Sequence, residues 1–370
     1  MKFDVTIRTL TPLHIGTGTI LLRDYDYVTA GGRTFVLNQD AIYSDIYSQT
    51  LRIPDKPAGK LIDPSELRDG SPLVRYSLAG TTTVDQIHEQ IKDARGQCYL
   101  PGSSLKGALR TVLLAAAYPQ LAEVGVNYEE NRRGGLVKEK AAKNFERAAF
   151  RPGEDDPNHD LLRAFQVTDS APIKPDPSPL MLVQARAFGD RPAAVPIWVE
   201  ALAQGQMLHA TLRLDDWLLA EKQARKLGWQ VSRDWFTQLP AFSNARAKKE
   251  LEDERAFAES RTWEFAVKAY DQLARHLERA QRQPQQFLLQ VGWGTGWNGI
   301  TIGTLLPRAE QLRAREQFEL GKPPRLSKRE GWAVDPNQPY PTTRRLFDAG
   351  KSNERPIPSA PLGWISVELT

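Results

Sequence analysis

The chain has 370 residues, 41% hydrophobic and 25% charged, with 49 Lys and Arg against 45 Asp and Glu for a net charge of +4. This balance excludes a disordered chain and is too mild by itself to assign a nucleic-acid partner. Cys98 is the only cysteine, which excludes an intrachain disulfide or a zinc site built on cysteines and fits a reducing cytoplasm, and no run reaches the roughly 20 apolar residues that span a bilayer, so no membrane partner is expected.

The chain opens on a strict alternation in which Phe3, Val5 and Ile7 are apolar and Lys2, Asp4, Thr6 and Arg8 polar; that period of two predicts a half-buried strand over residues 2–10. Tyr25-Asp26-Tyr27-Val28 and Thr34-Phe35-Val36-Leu37, separated by Gly31-Gly32, read as a hairpin. Asn38 or Asp40 then caps a helix running to about Tyr47. From Ser103, the residues Leu105, Ala108, Leu109, Val112, Leu113 and Ala116 share one helical face; Ser103 or Ser104 would cap this helix and Pro119 close it.

Residues 121–147 are rich in charge and read as helical. Arg151 to Asp160 and Ser170 to Pro179 are dense in Pro and Asp and read as loops, the first marking a boundary between domains at 1–160 and 161–370. Beyond it, Leu208, Ala210, Leu212 and Leu214 alternate with polar residues as a second strand. Helices are predicted at about 216–228 and 246–281, and Phe287 to Val291 forms a strand entering a glycine cluster. Strands and helices in both halves define an α+β fold class.

Three glycine-bearing segments and an arginine pair are the features with chemical content. Thr11-Pro12-Leu13-His14-Ile15-Gly16-Thr17-Gly18 follows the first strand, and its glycines permit a backbone that presents N–H groups to a phosphate, or simply turns. Pro101-Gly102-Ser103-Ser104-Leu105-Lys106-Gly107 opens a helix, with Lys106 and Arg110 four residues apart on one face. The free amides of a helix start attract an anion; an ordinary capped helix with two solvated cations has the same sequence.

Gly292-Trp293-Gly294-Thr295-Gly296-Trp297-Asn298-Gly299 lacks the Gly-Lys-Ser/Thr ending of a P-loop. Its glycines suit close approach to an RNA strand, while each tryptophan is first a core residue. Arg344 and Arg345 are adjacent cations near the tail. No zinc-protease, cysteine-pair or EF-hand spacing is present, and no metal or cofactor is expected.

These segments, in this order, resemble the RAMP superfamily of CRISPR ribonucleoproteins. The stretch from Tyr25 to Leu37 and the ending from Thr343 to Trp364 are similar to a type III-A Csm subunit of the kind that caps the 3′ end of the crRNA. The resemblance implies two RRM-like, ferredoxin-like domains with helical insertions and glycine-rich loops. It also implies a non-catalytic role in antiviral defence, with crRNA, the backbone RAMP subunits, the small subunit and host nucleases that mature the crRNA as partners.

Carried over by motif, His14, Gly16, Gly18, Ser103, Ser104, Lys106, Arg110, Gly294, Gly296, Arg344 and Arg345 are expected at or near RNA. No aromatic RNP motif of simple RRM proteins is present. Some RAMP proteins cleave RNA, and His14 with Asp24 or Asp26 is the pair that could do so here, although the histidines (His14, His88, His159, His209 and His276) show no paired spacing. A purely structural subunit that keeps the fold and makes no RNA contact is the third reading.

Overall fold

The structure is a computed structural model that describes residues 1–52, 54–121, 123–152, 156–173, 179–190, 194–229, 233–322, 333–350 and 355–370. Residues 153–155 and 174–178 of the two Pro- and Asp-rich segments lie outside the described residues.

In chain order the strands are β1 (Lys2–Thr9), β2 (Gly16–Leu22), β3 (Tyr27–Ala30), β4 (Arg33–Leu37), β5 (Val74–Ala79), β6 (Gln86–Gln90), β7 (Phe165–Val167), β8 (Leu180–Gly189), β9 (Ile197–Leu202), β10 (Met207–Leu214), β11 (Gln286–Gln290), β12 (Thr343–Asp348), β13 (Pro358–Pro361) and β14 (Trp364–Leu369). The helices are α1 (Gln39–Thr50), α2 (Gly102–Ala117), α3 (Lys143–Phe150), α4 (Glu221–Lys226), α5 (Arg233–Thr237), α6 (Leu239–Glu259), α7 (Glu264–Gln281), α8 (Gly296–Ile300) and α9 (Arg308–Gln317).

Two sheets carry the α+β fold expected from the sequence. The first has the order β11-β14-β1-β10-β7, antiparallel throughout. The second runs β2-β6-β9-β8-β5-β4-β3, with β12 added on β8 and β13 on β12. Both sheets draw strands from either side of residue 160.

Local chemistry accounts for most elements. The alternation of β1 buries Val5 and Ile7 completely and leaves Lys2 and Asp4 to solvent. Asn38 caps α1 by accepting a hydrogen bond from the Ala41 amide. In α7 the buried residues Ala266, Tyr270, Leu273, Leu277 and Ala280 recur every three or four positions. Helix α6 covers β11, whose outer edge would otherwise be open. Asn244 donates to the Gln286 carbonyl at 2.9 Å and accepts from the Leu288 amide at 3.1 Å, and Ser243 donates to the Leu288 carbonyl at 2.6 Å.

Several expectations need correction. Residues 121–147 are largely irregular, and only Lys143–Phe150 forms an α-helix. The helix expected over 246–281 is two helices, because the chain turns at 260–263 with Thr262 at φ +56°. Of the helix expected over 216–228, only Glu221–Lys226 forms. The segment beginning at Gly16, read as a loop, is the edge strand β2. No serine caps α2, whose N-cap is Pro101.

Candidate nucleic-acid interface

Three of the glycine and tail motifs meet at one end of the first sheet. Strand β14 lies antiparallel between β1 and β11, so the loops after β1, after β11 and before β14 emerge together. The Gly363 amide donates to the Pro12 carbonyl at 2.9 Å, the Val291 amide to the Gly363 carbonyl at 2.9 Å, and the Trp293 amide to the His14 carbonyl at 2.8 Å. Glycine is required at the crossing points. Gly292 (φ +84°) has its Cα against the His14 carbonyl and Gly363 (φ +80°) against that of Val291, so neither has room for a side chain.

His14 is buried within this junction. Its Nδ1 lies 2.6 Å from the Glu200 carbonyl and its ring meets that of Trp293 edge-on, with centroids 5.7 Å apart. Burial lowers its pKa to about 4, against the upward pull of the Glu200 carbonyl and with help from the nearby His88 and Lys92 charges. The imidazole is neutral at pH 7 and acts as a strut that donates to a carbonyl.

A polar network that sequence reasoning did not find supports the loop from beneath. The Glu200 carboxylate is fully buried; it accepts from Lys92 Nζ at 2.5 Å, from the Tyr76 hydroxyl at 2.8 Å and from the Gln90 amide at 3.0 Å. Gln90 Oε1 in turn accepts from the Ile15 amide at 2.9 Å. The available signal was one acid inside the apolar run Ile197-Trp198-Val199-Glu200-Ala201-Leu202.

The proposed catalytic partners of His14 are engaged elsewhere. Asp26 accepts from the Leu22 amide at 2.7 Å and from Gln39 Nε2 at 2.6 Å. Asp24 sits in the left-handed region at φ +64°, 3.7 Å from Lys60 Nζ. Neither bonds to His14, so the pair needed for general acid–base cleavage is not assembled.

The start of α2 also has protein partners. Asp169 accepts from the Gly102 amide at 2.7 Å, which puts a negative charge at the helix N-terminus. Lys106 donates to the Leu162 carbonyl at 2.7 Å. Arg110 pairs with Asp160 at 3.2 Å and Glu146 at 3.1 Å while lying 4.4 Å from the centre of the Phe150 ring. Ser103 is exposed and Ser104 half-buried on the helix.

Gly294, Gly296, Arg344 and Arg345 share the lining of a cavity of about 190 Å³ between the loop after β11 and β12. Arg344 is held by Glu254, which pairs with its Nε, and stacks 3.8 Å from the Phe257 ring centre. Arg345 lies 4.3 Å from the centre of the Trp293 ring and has no carboxylate partner among the described residues. Trp293 thus touches His14 on one side and Arg345 on the other. Gly16 and Gly18 are exposed on β2, with Gly16 packed near His14 Nε2. Among the described residues no group of three or more His, Cys, Asp or Glu could hold a metal, and no helix is long and apolar enough to cross a membrane.

A family model of the RAMP superfamily matches residues 6–298, and the chain belongs to that superfamily. Within it, the chain is similar to curated Csm5 proteins of CRISPR systems. It is 25% identical over 253 residues to one from Mycobacterium tuberculosis, covering 58% of this chain and 66% of that protein. It is 27% identical over 190 residues to one from Enterococcus italicus, covering 49% of this chain and 42% of that protein. The chain thus matches just under two thirds of the first relative and less than half of the second.

Among solved structures it is similar to a chain of a type III-A Csm–crRNA–target RNA ternary complex, with TM-score 0.65 and 24% identity over 99% of this chain and 100% of that one. It is also similar to T. onnurineus Csm5, with TM-score 0.60 and 21% identity over 97% of this chain and 99% of that one. These two likenesses establish the fold.

Proposed function

We propose that this chain is a non-catalytic, Csm5-type subunit of a type III-A CRISPR effector that holds the 3′ portion of a crRNA and docks against the backbone RAMP subunits, with the small subunit in the same particle. The observation that carries the reading is the junction of the 11–18, 291–299 and 361–364 segments, ending in Arg345 stacked on Trp293 with no carboxylate partner among the described residues. Such a junction offers a rigid backbone surface and an unneutralised cation to a ribose-phosphate chain. The kinship with Csm5 proteins supports the same assignment. Gly294, Gly296 and Arg345 are the contacts proposed first, with Gly16 and Gly18 on the adjoining edge. His14 supports the loop from within the fold, in the cytoplasm, where host nucleases would trim the exposed RNA end.

The test is binding of the full chain to a crRNA-like oligoribonucleotide over a salt series. Affinity is expected to fall linearly in log–log form as salt rises, through counterion release, with the RNA recovered intact. Cleavage that disappears in His14→Ala or Asp26→Ala would establish a nuclease instead, and absence of binding at about 50 mM salt would leave the purely structural role.

A further inference from the structure

The cavity beside the glycine loop contains more hydrogen-bonding capacity than the fold uses. Tyr270 is 3% exposed and lines it, and its hydroxyl, which lies near the Glu254, Arg344 and Glu250 charges, has no hydrogen-bond partner among the described residues. Asn298 donates from Nδ2 to Glu254 at 2.6 Å, yet its Oδ1 is buried with no partner. Glu250 lines the same cavity, and its half-buried carboxylate accepts no hydrogen bond among the described residues. Buried polar groups are ordinarily satisfied, so the Tyr270 hydroxyl and Asn298 Oδ1, with the half-buried Glu250 carboxylate beside them, mark a vacancy for a polar ligand.

Size and position narrow the ligand. A cavity of about 190 Å³ has room for one heteroaromatic ring system and too little for two stacked ones. Its lining includes Gly294, Gly296 and Arg345, the groups proposed to meet the RNA backbone. We infer that this cavity receives a single unstacked base of the bound RNA, with Tyr270, Asn298 Oδ1 and Glu250 reading its polar edge; the inference rests on the RNA-binding reading above. Burial, reinforced by Glu254 and Asp253 and opposed by Arg246, brings the Glu250 carboxyl up to about 7. It can therefore donate or accept near neutrality, as the edge of a base requires.

The test uses the full chain and an oligoribonucleotide series in which one abasic site is moved along the strand. One position is expected to lose about tenfold or more in affinity, within the 1–3 kcal/mol range for a held base. Tyr270→Phe and, separately, Glu250→Gln should weaken binding of the intact RNA and leave binding of that abasic RNA unchanged, since an interaction already absent cannot be lost twice. Uniform affinity along the abasic series, or equal losses by both variants on intact and abasic RNA, would overturn the pocket while the RNA-binding reading stood. If no RNA in the series binds at low salt, the broader reading fails and the pocket with it.

Discussion

Lys92 Nζ and Glu200 Oε2 lie 2.5 Å apart beneath the loop that carries His14, and both side chains are almost wholly shielded from water. The pair is completed by Tyr76, whose hydroxyl donates to the carboxylate and whose ring centre is 4.4 Å from the ammonium. Removing one member of a buried pair leaves the other charge uncompensated. Lys92→Met is expected to cost about 3–5 kcal/mol in urea unfolding, and Lys92→Met with Glu200→Gln to recover part of that. A single variant with unchanged stability would show that the pair does not brace the loop.

His14 should make stability depend on pH. Its pKa is about 4 in the fold against 6.5 ordinarily. Above pH 6.5 both states hold it neutral; between 6.5 and about 4 only the unfolded chain gains the proton, so folding loses about 1.4 kcal/mol per pH unit, on the order of 3 kcal/mol in all, and nothing further below that. Glu250 acts in the opposite sense, since a pKa of about 7 against 4.5 makes the folded state gain from acidification across that window. The measurement is therefore the stability difference between wild type and His14→Gln, which should move against wild type as pH falls from 6.5 to 4. A constant difference would refute the assignment.

Two glycines with similar backbone angles should respond differently to alanine. Gly18 (φ +91°) faces open space, so Gly18→Ala carries only the left-handed penalty of about 1–2 kcal/mol. Gly363 (φ +80°) presses on the Val291 carbonyl, so Gly363→Ala adds overpacking of about 1–3 kcal/mol. Chemical denaturation of both variants should rank them in that order, and equal losses would mean the junction yields freely.

The cations can be sorted by salt dependence. Arg345→Ala should weaken RNA binding and reduce the log–log salt slope by about 1, the signature of a lost phosphate contact. Lys106→Ala with Arg110→Ala removes one partner each from the Leu162 carbonyl, Asp160 and Glu146. That pair of changes should lower stability by about 1–3 kcal/mol with the slope unchanged. A slope reduced by about 2 in the double variant would instead return the helix start to the RNA surface.

What could be read from the sequence follows from how local each signal is. The alternation in β1, the Gly31-Gly32 hairpin and the stripe on α2 depend on neighbours a few residues away, and all three are present as expected. Strand β2 escaped notice because Gly16-Thr17-Gly18-Thr19 has no apolar alternation and serves as an edge. The turn at 260–263 contains neither Gly nor Pro, and the left-handed Thr262 has no sequence marker. The motifs at 11–16, 292–297 and 361–364 were each visible as glycine punctuation. Their meeting depends on β14 entering between β1 and β11, a nonlocal event that no window reveals. The burial of His14 and the partners of Lys106 and Arg110 were hidden for the same reason.

The hydrogen bond from the Trp364 amide to Thr11 Oγ1 spans 353 residues. While a ribosome is still making this chain, β1 and β11 wait without the strand that joins them, their facing edges open to stray pairing. Closure of the first sheet therefore waits until β14 has been made, and contacts of such long sequence separation form slowly. The junction proposed to meet RNA is assembled only when β14 enters between β1 and β11, so a nascent chain that has not reached β14 lacks it.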